Sequence, residues 1–117
     1  MSTPSEKTLR GALDAWKAGI DAHRPQEVAA VFTPDAIFQG LHPYTVGRAG
    51  IAAYYDSQPL GMTVDYRVME TRQPAGDVVI GWVAADFHFT DRDPIELNLT
   101  VVLAGGLIAH YQVSPRV

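Results

Sequence analysis

The stretch IELNLTVVLAGGLIAHYQVS, residues 95–114, sets two apolar runs on either side of Gly105-Gly106. Aliphatic and β-branched residues suit strands. Two adjacent glycines supply the left-handed backbone that a two-residue hairpin turn needs. The chain before this hairpin reads the same way. Residues 62–72 and 77–90 are strand candidates, bounded by Gln73-Pro74-Ala75-Gly76 and Asp91-Arg92-Asp93-Pro94. Strands over 62–72, 77–90, 95–104 and 107–114 with tight connections predict an antiparallel meander.

The first half reads as helix. Thr3, Pro4 and Glu6 supply an N-cap, an N1 proline and a capping-box glutamate. Leu9, Leu13, Trp16 and Ile20 follow at helical spacing, which predicts a helix over 4–22. His23 falls at its end, where it reads as a cap. Pro25 opens a second helix with Val28, Ala29, Val31 and Phe32 as its buried stripe, and Thr33-Pro34-Asp35 stops it. Ala36-Ile37-Phe38 reads as a short strand, followed by a loop with Gly40, Pro43 and Gly47. A third helix over Arg48–Asp56 buries Ile51 and one of Tyr54 or Tyr55. Helices first and strands after predict an α+β fold, a single domain over 1–117 with three N-terminal helices packed on a curved antiparallel β-sheet. A long twisted meander curls, and helices across its concave side leave a cone whose open end can hold a small molecule.

Composition narrows the function. Of 117 residues, 47% are hydrophobic and 19% charged, which suits a packed globule. A net charge of −4 disfavours nucleic acid and gives no reason for an anionic membrane partner. No apolar run reaches the length of a membrane span. Met1 to Lys7 lacks the basic start and apolar stretch of a signal peptide, so a cytoplasmic location is expected. There is no cysteine, which removes disulfides, thiolate nucleophiles and thiolate-bound zinc. No metal is expected: the four histidines show no ligand spacing, and Asp86-x-His88 has no third ligand. No cofactor is expected either, since P-loop, dinucleotide-glycine and nucleophile-elbow patterns are missing.

The strand over 77–90 carries the densest chemistry. Trp82, Ala84, Asp86 and His88 alternate onto one face, and Val83, Ala85, Phe87 and Phe89 onto the other. A carboxylate and an imidazole side by side form a candidate acid–base pair, so Asp86 and His88 are the candidate catalytic residues. On the next strand Glu96, Asn98 and Thr100 share a face. A turn that sets Asp86 opposite Asn98 joins the two polar sets, and the glycine hairpin then sets Tyr111 opposite Thr100. Asn98 and Tyr111 would orient or polarise a carbonyl. The same polar face reads equally as solvated surface or a wet dimer interface. His42 and Arg48 flank the loop before the third helix and read as lid contacts or as ordinary loop polarity. Trp16, Phe38, Tyr54 and Tyr55 are aromatics that fill core or line a pocket, and Trp82, on the Asp86 face, is a further candidate substrate contact. Lone His110 reads as structural.

Three further stretches carry a resemblance. They are Ala15-Trp16-Lys17-Ala18-Gly19-Ile20-Asp21-Ala22-His23, Val28 through Phe38 with its F-x-x-D-A core, and Gly47-Arg48-Ala49-Gly50-Ile51-Ala52-Ala53-Tyr54-Tyr55. In this order, ahead of a meander, they resemble the NTF2-like superfamily, which includes ketosteroid isomerases and SnoaL-like polyketide cyclases. Phe38-Gln39-Gly40-Leu41 with Tyr54-Tyr55-Asp56-Ser57-Gln58-Pro59 is similar to the SgcJ/EcaC-type small proteins, some of them associated with polyketide pathways. The resemblance implies a cystatin-like cone and a hydrophobic guest. It also implies a homodimer paired through the sheet. The ketosteroid isomerase pattern itself is not met. Its oxyanion-donor tyrosine matches Trp16, its basic aspartate matches Gly40, and its third acid falls near Thr100 or Val101. Two functions stay open: a cofactor-independent cyclase, isomerase or dehydratase working by acid–base catalysis, and a non-catalytic dimeric protein that binds or sequesters its ligand.

Overall fold

The structure, a computed structural model, describes residues 3–116. Met1, Ser2 and Val117, the ends of the expected domain and of the N-terminal segment read above, lie outside it. Helix α1 spans Pro4–Asp21 and buries Leu9, Ala12, Leu13, Trp16, Gly19 and Ile20 along one stripe. The Thr3 hydroxyl accepts the Glu6 amide at 3.1 Å, as the N-terminal pattern requires. The helix closes in a Schellman turn: the His23 amide donates to Ile20 O at 3.0 Å and the Arg24 amide to Gly19 O at 2.8 Å. His23 thus caps through its backbone, at φ 52°.

Helix α2 covers only Pro25–Ala29. Val31 and Phe32 are buried but lie beyond it, and Phe32 opens strand β1, Phe32–Gln39. The stop expected at Thr33-Pro34-Asp35 is therefore the start of a strand. Proline is tolerated there because the β1 register is irregular between Phe32 and Ile37. The Arg48 Nε donates to Phe32 O at 2.9 Å at this irregularity. A short strand β2, Tyr44–Val46, was not foreseen; it pairs back on β1. Helix α3, Arg48–Asp56, buries Ile51, Ala52 and Tyr55.

The meander follows as β3 (Thr63–Ala75), β4 (Val78–His88), β5 (Ile95–Ala104) and β6 (Leu107–Pro115). The six strands form one curved, unclosed sheet in the order β2-β1-β6-β5-β4-β3. All neighbours are antiparallel except β1 and β6, which run parallel. α1 lies against β3 and β4, while α2 and α3 pack on each other and α3 reaches β1. The helix–sheet approach is close at Gly81, where a β-carbon would stand 2.6 Å from a Leu9 methyl. Gly105 and Gly106 take φ 60° and 85°, the left-handed pair of a type I′ hairpin turn.

Two register details decide which side chains meet. Across β4 and β5, Asp86 faces Glu96 and Ala84 faces Asn98. This differs by two residues from the expected pairing, and a two-residue slip keeps the same face. Across β5 and β6, Val102 pairs with His110 but Leu103 pairs with Ile108, so Ala109 is an extra residue in β6. Beyond that bulge Thr100 faces Gln112 and Val101 faces Tyr111. The expectation that Tyr111 shares the Asp86 face is corrected here, because a one-residue bulge moves every later side chain to the opposite face.

Candidate functional site

The inner face of the sheet and the helices enclose an aromatic core. Trp16 is fully buried, and its Nε1 donates to the Tyr55 hydroxyl at 3.0 Å. Its ring meets Phe87 edge-on at 6.0 Å. Phe38 on β1 and Tyr111 on β6 stack with centroids 4.5 Å apart and planes within 3°. The parallel pairing that sets Phe38 beside Tyr111 produces that stack. Tyr54 lies 5.0 Å from Phe38.

Beside this cluster is a cavity of about 170 Å³. Phe38, Tyr54, Met62, Phe87, Phe89, Leu97, Tyr111 and Val113 form its wall, and Gly40, Leu41, His42, Pro43, Gln58 and Ile95 complete its lining. Leu41 and Ile95 are 42% and 39% exposed, so two apolar side chains edge the opening. The loop that carries His42 is held by the Gly40 amide on Pro43 O at 2.9 Å and by Gln39 Nε2 on Gly40 O at 3.0 Å. Among the described residues no acidic or basic side chain is buried. The polar groups at the cavity are the hydroxyls of Tyr54 and Tyr111, the Gln58 amide and the exposed His42 ring. Burial raises the Tyr54 hydroxyl above the ordinary phenol range. Burial holds Tyr111 well above it, with Tyr55 and Tyr54 adding to the effect. Both are therefore neutral hydrogen-bonding groups at physiological pH.

Four of the sequence-singled residues come together at this cavity: Phe38, His42, Tyr54 and Tyr111. Trp16 stands behind its wall against Phe87 and does not line it. Asp86, His88, Trp82 and Asn98 lie on the outer face of the sheet. Asp86 Oδ1 is 3.1 Å from Arg116 Nη1 without hydrogen-bond alignment, so the contact is a charge pair. His88 Nε2 pairs with Asp65 Oδ2 at 3.2 Å. The expected Asp86–His88 contact is thus replaced by separate partners, Arg116 and Asp65. Arg116 also bonds Glu96 at 3.0 Å and Leu97 O at 2.7 Å, which ties the end of β6 across β5 to β4. Trp82 and Asn98 line an open trough of about 280 Å³ with Met69, Thr100 and Ser114. Arg48 is a structural donor to Phe32 O and does not line this cavity.

The sequence reading missed Met62, Gln58, Phe87 and Phe89 as cavity residues. One signal was present: Val83, Ala85, Phe87 and Phe89 form the more apolar side of β4, and the apolar side faces the helices. Among the described residues no group of His, Asp or Glu is arranged to hold a metal ion.

No family model matches the sequence, and no curated protein matches it. Solved structures do. A cystatin-like-fold domain of unknown function from Nostoc punctiforme matches with a TM-score of 0.85 at 16% identity, over 100% of this chain and 80% of that one. A ketosteroid isomerase-like protein from Erwinia carotovora atroseptica matches with a TM-score of 0.80 at 19% identity, over 97% of each chain. A protein from Xanthomonas campestris named for a calcium/calmodulin-dependent protein kinase II association domain matches with a TM-score of 0.83 at 17% identity, over 99% of this chain and 93% of that one. The fold is NTF2-like. At these identities the likeness concerns the fold and no activity.

Within this NTF2-like cone the positions matched to the ketosteroid isomerase groups can be located. Trp16 directs its N–H to Tyr55, away from any guest. Gly40 reaches the cavity without a side chain to act there. Val101 is buried core, and Thr100 lies on the outer face.

Proposed function

We propose that this chain binds a hydrophobic small molecule inside its cone and holds it unchanged. The observation that carries this reading is the composition of the cavity wall: aromatic and aliphatic throughout, with no buried acid or base among the described residues. Such a wall desolvates an apolar guest at little cost and offers neutral hydroxyls to orient it. Acid–base catalysis requires a titratable group within hydrogen-bond reach of the guest. Asp86 and His88 are separated from the guest by the sheet, so cyclase, isomerase or dehydratase chemistry in this cavity would fall to His42 at the mouth as base, with the Tyr54 and Tyr111 hydroxyls as proton donors.

Volume bears on the guest. A cavity of about 150 Å³ accepts benzene, so about 170 Å³ encloses one ring. A fused polyketide would stand largely outside. The test is toluene at neutral pH for binding, followed by ligand-observed NMR, and 3-cyclohexenone, a single-ring ketone that acid–base catalysis isomerises to the conjugated enone, for recovery of the compound after long incubation against a buffer control. Saturable binding, lost in Val113→Phe while the near-ultraviolet dichroism is kept, and intact compound on recovery are the expected results. Conversion of the compound, abolished in His42→Ala, would replace binding by catalysis.

We further propose a homodimer through the outer sheet face. Ile37, Tyr44, Val46, Met69 and Trp82 are exposed there, and helices cover the other face. The similarity to a protein named for an association domain is in keeping with this.

A further inference from the structure

The cavity wall holds one phenol hydroxyl that the protein does not use. Tyr111 shares a hydrogen bond with Tyr55, and the Tyr55 oxygen already accepts from Trp16. Tyr66 donates to Asp14 on the far side of α1. The Tyr54 hydroxyl, half-buried on the cavity wall, has no hydrogen-bond partner among the described residues. Four residues later, just past the end of α3, stands Gln58, which completes the cavity lining. Its amide nitrogen lies 3.4 Å from Tyr54 O and 3.5 Å from Ser57 Oγ, while its amide oxygen has no partner among the described residues. A phenol donor and an amide acceptor four residues apart therefore border the same cavity.

Resting on the small-molecule reading above, the geometry points to a specific ligand class: an uncharged single-ring compound carrying one hydroxyl, with the ring against Phe38 and Tyr111 and the hydroxyl exchanged between Tyr54 and Gln58. A hydroxyl both gives and takes a hydrogen bond, which matches the pair. A carboxylate has no donor to offer Gln58 and would be desolvated by the apolar wall with no cation inside to compensate. His42 is exposed at the rim, so water screens its influence on the interior. A bare hydrocarbon would leave both groups unpaired when it displaces water from them.

Binding of toluene, p-cresol and 4-methylbenzoate at neutral pH tests this, measured by ligand-observed NMR and by the rise in melting temperature. The expected order is p-cresol first, roughly three- to tenfold tighter than toluene, as one net hydrogen bond gives. 4-Methylbenzoate should be weakest. Tyr54→Phe should shrink the p-cresol advantage, weakening p-cresol and tightening toluene, since the hydroxyl that toluene leaves unpaired is gone. Equal binding of p-cresol and toluene, or 4-methylbenzoate binding as tightly as p-cresol, overturns the ligand class while the pocket reading stands. Failure of all three to bind overturns both.

Discussion

The buried hydroxyls of Tyr55 and Tyr111 show how single side chains set the chemistry of the interior. Burial raises both, and only the Trp16 N–H and the contact between them provide partners. Tyr66 is the more accessible case: burial, then its hydrogen bond to Asp14, pushes it up to about 12. A phenol whose pKa is raised by folding stabilises the native state fully below the unfolded value. Above about 10 the unfolded chain loses a proton that the native state keeps, so stability falls as pH rises toward about 12. Urea midpoints measured at stepwise pH should decline across this window, and less steeply in Tyr66→Phe. A midpoint that holds constant to the upper end would contradict the assignment. The apolar and aromatic identity of these residues was legible in sequence. Which hydroxyl stays unpaired was not, because that depends on which chain segments converge on Tyr55.

At the scale of elements, the strand alternation, the glycine turn and the capped first helix were each readable from neighbours a few residues apart. The strand expected over 95–104 is β5, and 107–114 differs from β6 by one terminal residue. Two features escaped. β1 begins at Phe32, inside a stretch that reads as a helix end, because pairing with β6 outweighs local preference. The bulge at Ala109 carries no residue signature of its own. Its consequence is large: Ile108 and Tyr111, three apart, both face the core at 0% and 2% exposure. Inserting one alanine between His110 and Tyr111 would shift every later side chain by one position and turn Tyr111 and Val113 outward while Gln112 enters the core. Loss of two apolar side chains and burial of an amide should cost on the order of 3 kcal/mol or more. The expected readout is a lowered urea midpoint with loss of near-ultraviolet dichroism. Native-like stability in the insertion variant would mean that the register beyond the bulge does not hold Tyr111 on the core face.

For the whole molecule, the sheet separates two surfaces. One carries the cavity, and the other carries Trp82, the trough beside it and the Asp86–Arg116–Glu96 charge group at one end. If two copies pair through that outer face, Trp82→Arg should convert a dimer to a monomer at high micromolar concentration in light scattering, with toluene binding retained. A monomeric parent protein would refute the pairing. Among the described residues no helix is long and apolar enough to cross a membrane. The amino-acid order alone determined that helices precede a hairpin meander and that an α+β cone is expected, since periodicity and turn chemistry are local. Only the tertiary structure decided that Tyr111 belongs to the cavity and that Asp86 and His88 do not. The face a side chain takes depends on register, and register here was set by a bulge and a parallel pairing between segments some seventy residues apart.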